Sequence, residues 1–153
     1  MQNLNTFGNA CRCLIELAGR NGRDIAEADF LDEFSRKYTS WFRQPGSTNE
    51  FSILEIARDL GIAKNSIVTV DKDLVLKYQS HYGDRHVSGI FLYTERMLVD
   101  GELSAIYHCM LLLDADADGL KVWCPYEDGS SLEGILTWQQ WTDYMMHALV
   151  LLP

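Results

Sequence analysis

The sequence predicts an α+β fold in which N-terminal helices pack on a C-terminal antiparallel sheet, within a single domain that covers residues 1–153. Its 153 residues, 47% of them hydrophobic, are enough for one domain with a substantial core. Helical patterns dominate as far as Gly83, and strand-like apolar runs follow. Helices in the first half and neighbouring strands in the second are typical of the α+β class.

Most of the first half has helical patterns. The first helix, residues 9–19, has an apolar face and is closed by Gly19 or Gly22. The second, residues 24–42, has acidic residues early and basic residues late, as the helix dipole favours. After a linker with Pro and Gly, a third helix is predicted in residues 50–62, then a strand in 66–70 and a short helix in 71–82.

The second half supplies the sheet. Strands are predicted in residues 86–95, 104–115 and 120–124, and the polar turn DADADG joins the last two. Residues 131–145 predict a loop and a short helix, whose Trp138 and Trp141 pack against the sheet. Residues 147–153 form a final apolar strand.

Charge and hydropathy exclude several classes of function. The formal charge is −9 and Lys and Arg do not cluster, so we expect no binding to nucleic acid or to an anionic membrane surface. We also expect no membrane span and no standard secretory signal, because apolar runs are short and the N-terminus lacks a basic segment. The protein is predicted to be cytoplasmic, or an effector exported by a dedicated secretion system. The oligomeric state is left open.

The four cysteines carry the chemical prediction. Without an export signal, thiols stay free and are buried, catalytic or metal-bound. Cys11 falls in the first turn of the first predicted helix, where the helix dipole and free N–H groups favour a thiolate. A thiolate nucleophile needs a histidine base, and His108 lies on an apolar strand. The next strand ends in Cys124.

Together these residues resemble the papain-like cysteine peptidases, most closely the double-glycine leader peptidases of bacteriocin-exporting transporters and their stand-alone relatives. The resemblance rests on "NTFGNACRCLIELAG", "HCMLLL" and "WCP", and its spacing extends over nearly the whole chain. That family has Gln at the position of Asn5, Gly at Arg12 and Asp at Cys124.

The resemblance implies a peptidase or thiol acyltransferase that acts on a peptide or isopeptide bond of a peptide or protein substrate, without a cofactor or metal. Cys11 would attack the carbonyl and His108 would take and return the proton. The Cys11 backbone N–H and the Asn5 amide would hold the oxyanion, and Cys124 would stand at the orienting position.

Three departures leave a second function open. Asn5 is one methylene shorter than Gln, Arg12 is bulky beside the cleft, and the neutral thiol of Cys124 is a weak hydrogen-bond acceptor. The alternative is a catalytically degenerate papain-like domain that binds a peptide or protein partner.

Structural roles compete with the chemical ones. Cys11 could be a small buried hydrophobe, as we expect Cys13 and Cys109 to be. Zinc binding by Cys11, Cys13, His108 and Cys124 fits none of the standard ligand spacings. DADADG matches the first half of a calcium loop, but Pro125 stands where a Glu is required, which favours a hairpin turn.

Overall fold

The computed structural model describes residues 2–30, 32, 50–82, 89–99, 102–125 and 130–153. Side chains are described for these residues except 2–9, 50–52, 82, 95–99 and 102–108. The elements in chain order are α1 (Gln2–Arg20), α2 (Glu50–Asp59), β1 (Asn65–Thr69), α3 (Lys72–Tyr82), β2 (Ile90–Val99), β3 (Glu102–Ala115), β4 (Leu120–Pro125), β5 (Ser131–Leu136), α4 (Trp138–Asp143) and β6 (His147–Leu152).

The six strands form one sheet in the order β1-β6-β2-β3-β4-β5, with every neighbouring pair antiparallel. β2 and β3 form a long central hairpin, whose register shifts between Thr94 and Arg96. β1 and β5 are the two outer strands. The predicted α+β class with an antiparallel sheet is confirmed.

One face of the sheet packs against α1 and α2. Buried side chains from these helices and from alternate strand positions form the first core layer, which includes Leu14, Leu17, Ile53, Ile56, Phe91, Tyr93, Cys109, Leu111, Trp123 and Leu149. Successive residues of a strand point to opposite faces of the sheet, so the residues between these positions face away from α1.

The opposite face packs against α3 and α4 and forms the second core layer, which includes Val75, Ile90, Leu92, Met110, Leu112, Val122, Trp141, Ala148 and Val150. Because both faces are covered, four successive residues of β3, from Cys109 to Leu112, are buried. The apolar run "CMLLL" is therefore the sequence signature of a strand buried on both sides.

Several predicted element bounds are wrong, including the end of the strand predicted in residues 86–95, since β2 continues to Val99. The first helix begins at Gln2 instead of residue 9, although it ends as predicted, with Gly22 at φ 84° and Arg23 N–H donating to the Ala18 carbonyl. Residues 131–136, predicted as loop, form β5 because they pair with β4 along its whole length. Of the predicted helix 24–42, residues 24–26 are not helical, residues 27–30 and 32 are helical, and residues 31 and 33–42 lie outside the described residues.

The closing helix α4 is fixed at its N-terminus and by its tryptophans. Thr137 and Gln140 form a capping box, in which each side chain accepts a backbone N–H bond from the other residue. Trp138 and Trp141 both pack against the second core layer, as predicted, and Trp141 Nε1 donates to the Val70 carbonyl. Within the described ranges, no helix has the length and apolar character needed to cross a membrane.

Candidate thiol site

Cys11 lies in the middle of α1. The helix begins nine residues before Cys11, at Gln2, so the prediction that Cys11 occupies the first turn is wrong. The partial positive charge and the free N–H groups of a helix are confined to its first turn. The electrostatic reason for a thiolate at Cys11 is therefore missing in this structure.

The two groups that the resemblance assigns to the oxyanion, the Cys11 N–H and the Asn5 amide, lie within one continuous helix. An N–H group inside a helix donates to the carbonyl four residues earlier, so the Cys11 N–H is engaged within α1. Asn5 lies in the same helix, and its side chain is outside the described residues. Six helical residues span about 9 Å and a rotation of about 240°, which places Asn5 and Cys11 on different turns and different sides of α1.

Burial keeps the Cys11 thiol neutral. Its side chain is 1% exposed and belongs to the first core layer. Burial raises the pKa of the Cys11 thiol well above its ordinary value, and Cys109 and Glu27 nearby raise this pKa further. A buried, protonated thiol is chemically inert and packs as a small apolar side chain.

Cys13 and Cys109 are core residues, as predicted. Both are 0% exposed, and Cys13 Sγ lies 3.6 Å from the carbonyl oxygen of Cys109, to which it donates a weak hydrogen bond. Burial, and secondarily Cys109, raise the pKa of the Cys13 thiol well above its ordinary value. Cys11, Cys13 and Cys109 thus form a cluster of buried thiols between α1 and β3.

His108 precedes Cys109 on β3, and its side chain lies outside the described residues. Its backbone pairs with Thr94, whose Oγ1 donates to the Tyr144 carbonyl in the second core layer. Directly opposed residues of an antiparallel pair share a face of the sheet. The register therefore assigns position 108 to the face opposite α1 and Cys11.

A second histidine, His147, was not singled out by the sequence patterns. Its backbone pairs with Tyr93, a first-layer residue, and its ring stacks on the Tyr93 ring with 5.1 Å between centroids. Tyr93 in turn pairs with Cys109. β2 thus lies between β6, which carries His147, and β3, on which α1 packs. Because neighbouring strands are about 4.8 Å apart, the backbones of β6 and β3 are about 10 Å apart.

Cys124 lies on the other side of the sheet from Cys11. It is half-buried at the end of β4 and packs against the second core layer. Burial raises the pKa of the Cys124 thiol to about 11, and Cys109 adds to the effect. The register positions of His108 and Cys124 belong to the same face, so this part of the predicted arrangement is compatible with the fold.

Arg12, the residue that the resemblance places beside the cleft, has a structural contact. Its Nη2 donates to the carbonyl of Ser130 at 3.2 Å, immediately before β5. Arg20, at the end of the same helix, pairs with Glu16 at 2.8 Å and with Glu133 of β5 at 3.3 Å. These two arginines connect α1 with β5 and the residue that precedes it.

Metal binding finds no support among the described side chains. They contain no group of three or more His, Cys, Asp or Glu residues placed to hold a metal ion. In the DADADG turn, Asp116 Oδ1 accepts from the backbone N–H groups of Asp118 and Gly119. The carboxylate stabilises a hairpin turn there, in agreement with the sequence prediction.

β5 is the surface feature that the sequence patterns missed. The signal available was Asp128-Gly129, a hairpin-type dipeptide that follows the β4 sequence and precedes "SLEGIL".

Comparison of the chain with protein-family models, with curated proteins and with solved structures found no match.

Proposed function

We propose that the chain is a papain-like α+β domain that binds a peptide or protein partner and does not use Cys11 as a nucleophile. The observation that carries this proposal is the position of Cys11, buried in the interior of a continuous helix. Its neutral thiol and engaged N–H group favour packing over catalysis. The papain-like assignment is supported by the element order, with a cysteine-bearing helix first and a short helix and strand last.

The competing proposal is a cysteine hydrolase or acyltransferase built on Cys11 and His108, with Asn5 and Cys124 in supporting roles. It would require α1 to begin near Cys11 and β3 to present His108 toward that helix. Both requirements differ from the arrangement described above. The binding domain needs neither change.

The two proposals differ in thiol reactivity. We expect iodoacetamide at about pH 6 to alkylate Cys11 no faster than Cys13 or Cys109, because burial raises the pKa of the Cys11 thiol and leaves less than about 1% of it as thiolate at that pH. Mass spectrometry of digested samples measures the rate at each cysteine. We expect His108→Ala to leave the Cys11 rate unchanged.

Protein unfolded in urea is the control, since all four cysteines should then react at similar rates. Alkylation of Cys11 in the folded protein about 100-fold faster than of Cys13, slowed by His108→Ala, would overturn the binding proposal and support the enzyme.

A further inference from the structure

β5 presents an open edge of the sheet. Within the described parts of the chain β4 is the one strand that pairs with it, from Leu120 opposite Leu136 to Pro125 opposite Ser131. The outer edge of such a strand carries backbone N–H and C=O groups that can pair with another strand. Four of its six residues are exposed.

The exposed side chains of β5 include two large apolar ones on opposite faces. Leu132 is 57% exposed and Ile135 is 79% exposed. Between them, a Cβ built on Gly134 would meet no heavy atom within 4 Å, so the centre of the strand has free space around it. A glycine inside a strand often marks a place where another backbone approaches closely.

Side-chain contacts with α1 and β4 order β5 in the absence of a partner. Glu133 binds Arg20 at 3.3 Å and lies 3.7 Å from Lys121 of β4, while Arg12 holds the carbonyl of Ser130. Because the acceptor strand is already ordered, its own ordering entropy does not oppose binding.

Charge favours a basic partner over a second copy of this chain. The net charge of −9 makes self-association electrostatically unfavourable. Exposed Asp116 and Asp118 lie on the β3–β4 hairpin at the Leu136 end of β5, where the Asp116 carbonyl accepts a bond from Trp138 Nε1. Gly119 in the same turn approaches the Leu136 carbonyl.

We infer that β5 accepts an extended segment of a partner protein as a seventh strand of the sheet. The segment would place apolar side chains beside Leu132 and Ile135, and Lys or Arg residues near Asp116 and Asp118. Main-chain pairing supplies affinity in this mode of recognition, and alternate side chains supply specificity. The inference rests on the proposed binding function and names the class of partner.

The test uses three labelled peptides of about eight residues. One has two lysines followed by alternating threonine and valine, the second has two glutamates in place of the lysines, and the third has the lysines and a central proline. We expect the first to bind at least about tenfold more tightly than the other two, measured by fluorescence anisotropy. Proline removes a main-chain donor, and glutamate reverses the charge preference.

Substitutions locate the binding strand. Leu132→Lys and Ile135→Lys should each weaken binding of the lysine peptide about tenfold. Val68→Lys is the matched control, since Val68 is a 51% exposed apolar residue on the opposite outer strand, β1, and it should change affinity by less than about twofold. Thermal melting checks that all three variants are folded.

Several results would overturn the inference. These are no binding of the lysine peptide, equal binding of all three peptides, or equal loss of affinity in Val68→Lys. A dimer in sedimentation that Leu132→Lys abolishes would assign the edge to a second copy instead. If neither β5 substitution changes the affinity for the lysine peptide, β5 is not the binding strand, but the proposed binding function is retained. Rapid alkylation of Cys11 together with cleavage of the peptide would reject the proposed binding function itself.

Discussion

Replacement of Gly119 by alanine is expected to lower the free energy of unfolding by about 1–3 kcal/mol, the usual cost of forcing extra volume into a packed site. A Cβ at this position would stand 2.5 Å from the carbonyl oxygen of Leu136 and 3.8 Å from Ile135 Cγ2. The nearest atom belongs to the backbone of a paired strand, so it cannot rotate away. Either the DADADG turn or the β4–β5 pairing must shift.

Gly134→Ala is the matched control, because Gly134 lies on the neighbouring strand and has no heavy atom within 4 Å of the new Cβ. We expect this variant to be as stable as the parent or more stable by about 0.5 kcal/mol, since alanine loses less backbone entropy than glycine in a strand. Urea unfolding measures both variants. Equal stability of Gly119→Ala and Gly134→Ala would contradict the close approach of the turn to β5.

Alkaline pH is expected to destabilise the fold through its buried thiols. Unfolded cysteines ionise near pH 8.5, whereas burial raises the pKa values of Cys11 and Cys13 in the folded state. The stability that these neutral thiols contribute is complete below about pH 8.5 and is lost as the pH rises toward the folded pKa values. Each such thiol should reduce the free energy of unfolding by about 1.4 kcal/mol per pH unit in that range.

Lysines and tyrosines also ionise in alkali, so the contribution of a thiol is measured as the difference between variant and parent in the pH dependence of the free energy of unfolding. In Cys13→Ala the fall in stability between about pH 9 and 10 should be smaller by about 1.4 kcal/mol than in the parent, whatever the absolute stability of the variant. Urea unfolding at several pH values provides the measurement. Identical slopes in the two proteins would mean that the Cys13 thiol ionises equally well when folded and unfolded.

The fold was predictable wherever a local pattern determined it. The apolar runs of β3, β4 and β6, the closing helix with its two tryptophans and the turn ended by Gly119 all follow from periodicity and turn chemistry. β5 was missed because "SLEGIL" has weak alternation, and its strand conformation comes from pairing with β4, which local propensity does not report.

The candidate site depended on the residue at which α1 begins, which local helix propensity did not predict correctly. Gly8, Asn3 and Asn5 are poor helix formers, so the sequence pattern starts a helix at residue 9 and puts Cys11 in its first turn. In the structure α1 continues back to Gln2. The same cysteine thereby changes from a nucleophile candidate to a core residue, the role that the sequence predicts for Cys13 and Cys109.

The most direct test is the titration of the Cys11 thiol in the folded protein, followed through the ¹³C chemical shift of its labelled Cβ, with Cys11→Ala to assign the signal. We expect the thiol to remain protonated through about pH 9, because burial raises its pKa. Ionisation of Cys11 below about pH 7 would contradict the assignment of Cys11 to the core and would favour a thiolate nucleophile.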